Sequence, residues 1–340
     1  MRHDQLSRLA TRRQLYTNES YQQAKSLLRP GRPPIPPADC ADQRIFEATL
    51  FHQVLDFYTD FSAHPFGIRR VRPQPDTIDL VIEGEQRAAR LLSCVLPSYE
   101  PDGEVHGIPG LRVRQRNGRG VELHIAGQRT SAWLTGQPRK VFKRAETESL
   151  ERAADTGWKA LWRGPEQWSA QELAFEQRWN TGAWARQFRA GAWSASGVLR
   201  RIGLFHTLTA ADAVTGYKGL GINGYDGRGP VRWCLDIIHR SGVRYQKQPL
   251  IEAMTDPVFG LPVARAHHLD AIYPPEQMEN WIRFDDEART GLIELRFTTC
   301  TYEQLQLVSC PPRYRTIAEA VQRRVTAATQ TTRRRGCVVG

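Results

Sequence analysis

Apolar side chains recur at helical spacing over residues 39–58: Ile45, Ala48, Phe51, Leu55 and Tyr58 share one face, and Phe46, Leu50, Val54 and Phe57 widen it. The spacing predicts a helix capped by Asp39 or Asp42, and so wide a stripe predicts burial inside a domain. Two shorter helices are expected before it, at 4–16 (Leu6, Leu9, Tyr16) and 19–28 (Tyr21, Ala24, Leu27, Leu28). The stretch Pro30-Gly-Arg-Pro-Pro-Ile-Pro-Pro37 between them and the third helix reads as a stiff, extended linker.

Beyond His64-Pro-Phe-Gly67 the period drops to two. Ile78, Leu80 and Ile82 alternate as a strand, and Leu92, Cys94 and Leu96 repeat the pattern. The run from Leu111 to Ile125 predicts a hairpin turning at Asn117-Gly118, with Val113, Val121, Leu123 and Ile125 on the buried face and Arg112, Arg114 and Arg116 on the other.

Six of the nine tryptophans then crowd into residues 150–193, interleaved with Arg163, Arg178, Arg186 and Arg189. Leu150, Ala154, Trp158 and Leu161 recur at helical spacing, and Gly164-Pro165 stops that helix. A second helix starts at Ser169, whose capping box closes at Glu172, with Trp168 placed to staple onto Leu173 and Trp179 sharing a face with Phe175. On this pairing Trp158, Trp162, Trp168 and Trp179 are core, which leaves Trp184 and Trp193, beside Arg186 and Arg189, as a stacking platform. Gly182 and Gly191 limit the residues after this helix to short turns, and the echo of Gly-Ala-Trp at 182–184 and 191–193 is too short to count as a repeat.

A glycine-rich loop at 216–229 precedes a strand carrying Val231, Trp233, Leu235 and Ile237, then a short helix at 249–254 and strands at 264–273, 281–285 and 291–298. Thr316 and Glu319 cap a last helix with Ile317, Val321 and Val325, followed by a polar tail. The expected class is α+β, with two antiparallel-sheet-containing domains joined by a Trp-rich helical hairpin. Its parts are a basic helical arm (1–38), a first α+β domain (39–145), the Trp-rich hairpin with a second α+β domain (146–310), and a basic helix and tail (311–340).

Charge sharpens this outline. The net charge is +11, yet residues 39–310 carry 33 basic and 33 acidic side chains, so the excess sits on the two flanking segments. Basic ends on a neutral body suit association with an acidic polymer. Arg2, Arg8, Arg12, Arg13, Arg333, Arg334 and Arg335 are placed to neutralise phosphates without reading bases, and Arg112, Arg114 and Arg116 extend the track. No apolar run approaches the ~20 residues of a transmembrane helix, and the start lacks a signal sequence, so a cytoplasmic protein is expected. Six cysteines without a C-x-x-C pair argue against a zinc ribbon or redox motif.

Catalytic motifs are weak. Gly219-Leu-Gly-Ile-Asn-Gly224 matches G-x-G-x-x-G but lacks the strand before and the helix after that a pyrophosphate needs, and no cofactor is expected. His267, Asp270 and Glu294, with Glu276 and Glu279 near in sequence, form the best metal candidate. Asp79 with Glu122-Leu-His124 resembles the acidic pattern of restriction-like nucleases, with His in place of their lysine. The terminal Arg333-Arg-Arg-Gly-Cys337-Val-Val-Gly340 resembles a polybasic prenylation box with an atypical last residue. The leading expectation is an accessory protein that binds DNA or RNA through its phosphate backbone. The alternatives are a metal-dependent hydrolase or nuclease with its site in the second domain, and a protein–protein scaffold with a protein partner or a second copy of itself.

Overall fold

The computed structural model of the chain describes residues 3–57, 64–101, 103–116, 118, 120–208, 216–220, 231–240, 247–266 and 281–300. The last helix and tail, the end of the glycine-rich loop and most of the strand expected at 264–273 lie outside them. The chain opens with helices α1 (His3–Thr17), α2 (Tyr21–Leu27) and α3 (Ala41–Phe57). Ser20 and Gln23 close a capping box on α2, and Ala10, Ala24 and Leu28 bury a small patch between the first two helices. The first helix is docked on the body. Tyr16 is buried, stacks on Phe259 with ring centroids 5.5 Å apart and donates its hydroxyl to the carbonyl of Ala253 at 3.0 Å. The wide stripe of α3 is internal as expected, with Phe46, Leu50, Phe51, Val54 and Leu55 all buried.

Strands β1 (Ile68–Gln74) and β2 (Thr77–Ile82) form a hairpin, α4 spans Glu85–Val95, and short strands β3 (Ser98–Tyr99) and β4 (Val105–His106) precede β5 (Leu111–Arg116), β6 (Gly120–Ile125) and β7 (Ala132–Thr135). The strand expected at Leu92–Leu96 is therefore helical. Ala88, Leu91, Leu92 and Val95 are buried at helical spacing, and that longer period overrides the three-residue alternation. The β5–β6 hairpin pairs Arg116 with Gly120 and Val113 with Leu123, as the alternation requires. Helix α5 (Arg139–Asp155) takes in the basic segment at 139–144 and packs along α4, so no helical hairpin forms with α6 (Ala170–Trp179). The two-residue strand β8 (Lys159–Ala160) completes a small sheet, β4-β3-β8.

Helices α7 (Ala183–Leu199) and α8 (Gly203–Leu208) come next, then β9 (Gly216–Leu220), β10 (Val231–Arg240), α9 (Lys247–Met254), β11 (Ala264–Arg265), β12 (Trp281–Asp285) and β13 (Gly291–Cys300). Gly191 ends no helix; it lies inside α7. A Cβ there would stand 2.7 Å from the carbonyl oxygen of Thr290, so glycine is what lets α7 lie close on β13.

The two large sheets share one plan. The first runs β1-β2-β7-β6-β5 and the second β9-β10-β13-β12-β11. In each, the first two strands are antiparallel, the second strand pairs in parallel with the last, and the last three strands are joined antiparallel. In each, a 17-residue helix comes before the hairpin (α3, α7) and a shorter helix comes after it (α4, α9). The same α-β-β-α-β-β-β unit thus occurs twice, with insertions in both copies. The two leading helices pack on one another, and one continuous core runs from Tyr16 and α3 through the first sheet to α7 and the second sheet. Trp233 on β10 sits at the joint, 6.0 Å from Phe51 of α3 and 5.8 Å from Phe188 of α7.

Candidate nucleic-acid interface

The basic residues singled out by sequence separate into two groups. Arg13 is 1% exposed; its Nε lies 2.6 Å from Glu19, and Nη1 and Nη2 hold the carbonyls of Pro34 and Pro73. Arg12 pairs with Asp256 and stacks over Phe259. Arg112 is buried against Glu172, with bonds of 2.9 Å from both terminal nitrogens and further bonds to the carbonyls of Pro165 and Gln167. Arg114 is half-buried and pairs with Glu166 at 3.1 Å. Arg13 and Arg112 are thus structural, and no phosphate reaches them. Arg8, Arg186 and Arg189 are exposed, whereas Arg2, Arg333, Arg334, Arg335 and the side chain of Arg116 lie outside the described residues.

Of the exposed group, Arg186 and Arg189 lie where α6 meets α7, and Arg8 lies apart from them on α1. The start of α6 is pinned to the edge of the first sheet. Ser169 and Glu172 form the capping box read from the sequence. The Glu172 carboxylate, fully buried, also accepts from Arg112 and from the backbone amide of Gly110 at 2.8 Å. Burial pushes this carboxyl up, but Arg112 and the amides of Ser169 and Gly110 outweigh it and hold the group below the usual carboxylate range. Trp168 donates its indole N–H to Ala126 at 3.0 Å.

Away from that anchor, the rest of α6 turns to solvent. Trp179 is 53% exposed and Leu173 47%, so the burial expected for Trp179 is not made. Among the described residues α5 packs along α4, and Leu173 and Trp179 stay exposed. Phe175 does share a face with Trp179, its ring centroid 5.9 Å away, and the Arg178 guanidinium lies over both rings. Arg178 also pairs with Glu104 at 2.8 Å.

Across the Asn180-Thr181-Gly182 turn, Trp184 opens α7. It is 38% exposed and stacks on the buried Phe188 at 5.2 Å, with 29° between the planes. Arg186 and Arg189 reach back to hold the carbonyls of Thr181 and Asn180, each at 3.4 Å, so both guanidiniums flank the turn that joins the two rings. Trp193 is not part of this surface. Nine residues from Trp184 is half a turn around a helix, and its indole N–H is tied to Thr290 Oγ1 at 2.9 Å on the β13 side. Two part-exposed indoles and three guanidiniums at solvent are therefore grouped on one turn, the composition that stacks bases and neutralises phosphates.

The enzymatic candidates have a different character. Asp79, Trp133 and Glu122 stand in one row of the first sheet, because Asp79 and Glu122 each face Trp133 on β7. The intervening strand puts the two carboxylate-bearing residues ~9.6 Å apart, twice the strand spacing. Asp79 is 3.8 Å from Arg72, Glu122 accepts from Ser131 Oγ at 3.0 Å, and His124 bonds Glu166 at 2.7 Å. That bond to His124 brings the Glu166 carboxyl below the ordinary range, against a push upward from burial and with Arg114 assisting.

Glu294 is fully buried under Arg283 at 2.7 Å, Arg296 at 2.5 Å and Arg232 at 3.8 Å, three guanidiniums that repel a cation. Among the described residues it is a core ion-pair centre. His267 and Asp270 lie outside the described residues, and among the described residues no group of three or more His, Cys, Asp or Glu is placed to hold a metal ion. The first residues of the glycine-rich stretch, Gly216–Leu220, form β9, which pairs with β10. No helix among the described residues is long and apolar enough to cross a membrane.

The sequence pattern points to Trp184, Arg186 and Arg189 on this surface, and it places Trp179 in the core and leaves Arg178 out. The signal for the latter pair was the interleaving itself, which the helical pairing explained away. No protein-family model matches the chain, and no curated protein or solved structure matches it either, so the reading of this surface rests on its own geometry.

Proposed function

We propose that the protein is an accessory nucleic-acid-binding protein whose contact surface is the α6–α7 turn, with Trp179 and Trp184 as aromatic contacts and Arg178, Arg186 and Arg189 as phosphate contacts. One observation carries the reading. Of the four large hydrophobic side chains exposed among the described residues, three (Leu173, Trp179 and Trp184) fall within this one segment, among its arginines. Exposed apolar groups grouped in this way mark a binding surface, and guanidiniums beside them favour an anionic ligand. The buried pairs Arg13–Glu19 and Arg112–Glu172, by contrast, are closed within the fold. Arg8 and the arginines at 2 and 333–335 add charge to this binding in the proposal.

The test is titration of a labelled mixed-sequence oligonucleotide at rising salt. Binding at low salt is expected, weakening with a log–log slope of about −0.7 per phosphate neutralised on a single strand. The double variant R186A/R189A should bind more weakly and show a shallower slope. Absence of binding at low salt, or an unchanged slope in that variant, overturns the proposal.

A further inference from the structure

We infer that the α6–α7 surface takes unpaired bases, so that its ligand is single-stranded nucleic acid and duplex is refused; this rests on the reading just proposed. A ring that contributes by stacking needs the flat face of its partner. In a duplex those faces are occupied by the neighbouring base pairs, and only edges and phosphates are offered. The two indoles here are both part-exposed. Trp184 stacks on Phe188 with 29° between the planes, so one side of it is backed and its exposed part is available to a planar ligand. Trp179 is more exposed still, tilted 41° from Phe175 and lying under the Arg178 guanidinium, which an incoming base would displace from the ring and meet at its phosphate.

The guanidiniums of Arg186 and Arg189 are held at the carbonyls of residues 181 and 180, within the turn that separates the rings. Phosphates of a strand whose bases sit on the indoles would meet them there. Stacking accepts any base, since each has a π face, so the site is expected to discriminate strandedness and not sequence.

The test compares three probes on the full chain: an oligothymidylate of about 12 nucleotides, a blunt hairpin duplex of similar charge, and inorganic polyphosphate, which has charge and no bases. The single strand should bind at least ~10-fold more tightly than either of the others and quench tryptophan emission. W179A and W184A should each cost the single strand roughly 5- to 150-fold, the range that stacking energies of ~1–3 kcal/mol per base imply, and leave the polyphosphate affinity unchanged. W184F, which keeps an aromatic ring over Phe188, should retain most of the single-strand affinity and guards against a folding effect. Equal affinity for all three probes, or tryptophan variants that weaken polyphosphate as much as the single strand, overturns this inference and leaves phosphate binding standing. Failure of every probe to bind overturns the proposed function as well.

Discussion

The joint between the two α-β-β-α-β-β-β units can be tested at a single ion pair. Arg200 at the end of α7 and Glu47 on α3 are both fully buried and meet in a two-pronged pair, Nε to Oε2 at 2.7 Å and Nη2 to Oε1 at 2.5 Å. Glu47 also accepts from Ser196 at 2.6 Å and Gln43 at 2.7 Å, and Arg200 Nη1 satisfies the carbonyls of Pro36 and Gln74, each at 2.8 Å. Replacing Arg200 by Met leaves a carboxylate buried among neutral donors and strands two carbonyls. Breaking one side of such a pair costs ~3–5 kcal/mol, a large part of the ~5–15 kcal/mol that stabilises a folded protein. At about 2 °C per kcal/mol for a chain of this size, the melting temperature should fall by roughly 6–10 °C. The double variant E47L/R200M buries no unpaired charge and should be more stable than R200M alone, although the two carbonyls stay unserved. Thermal and urea unfolding, monitored by tryptophan fluorescence and by circular dichroism, measure both quantities. Single variants costing under ~1 kcal/mol, or a double variant as unstable as the sum of the singles, would refute a coupled pair at this joint.

Other consequences are independent of that one. Glu172 has its folded pKa below the unfolded value, so its contribution is complete above the ordinary carboxylate range and is lost as pH falls through the lowered value. E172Q should be less stable than the parent at neutral pH and should show a smaller further loss on acidification; identical pH profiles would contradict this. The Cys234 thiol is pushed up to about 12, by burial first and by Glu294 second, and burial also raises Cys94. Alkylation of the native chain at pH 8 with mass-spectrometric readout should therefore mark neither until denaturant is added, and labelling of Cys234 at the rate of a free thiol would show the environment to be misjudged. G191A places a methyl 2.7 Å from the Thr290 carbonyl oxygen and should destabilise by ~1–3 kcal/mol, whereas G182A, with no atom closer than 4.0 Å, should be tolerated; equal melting temperatures would rule out close packing of α7 on β13.

What the sequence determined by itself is local. The α3 stripe, the Ser169–Glu172 capping box, the β5–β6 hairpin and the strands at 231–237, 281–285 and 291–298 arise from side-chain period and turn chemistry, which act within a few residues. So does the mixed α+β class. The tertiary structure decided which apolar faces found a cover. The periodicity of residues 170–179 states that Phe175 and Trp179 share a side, and only the folded chain, with α5 on α4, shows Trp179 exposed among the described residues. It likewise decided which arginines are closed within the fold, because Arg13, Arg112 and Arg200 are neutralised by groups 6, 60 and 153 residues away, distances at which no sequence pattern specifies a partner.

The duplication belongs to the same class. Its trace in sequence is a short correspondence, Ala41-x-x-Arg-x-Phe-x-Ala48 against Ala183-x-x-Arg-x-Phe-x-Ala190 at the heads of α3 and α7. That trace becomes legible only when the strand order of the two sheets is laid side by side. Strand order is set by long-range pairing, where a residue's neighbour across the sheet depends on chain closure and not on its own side chain.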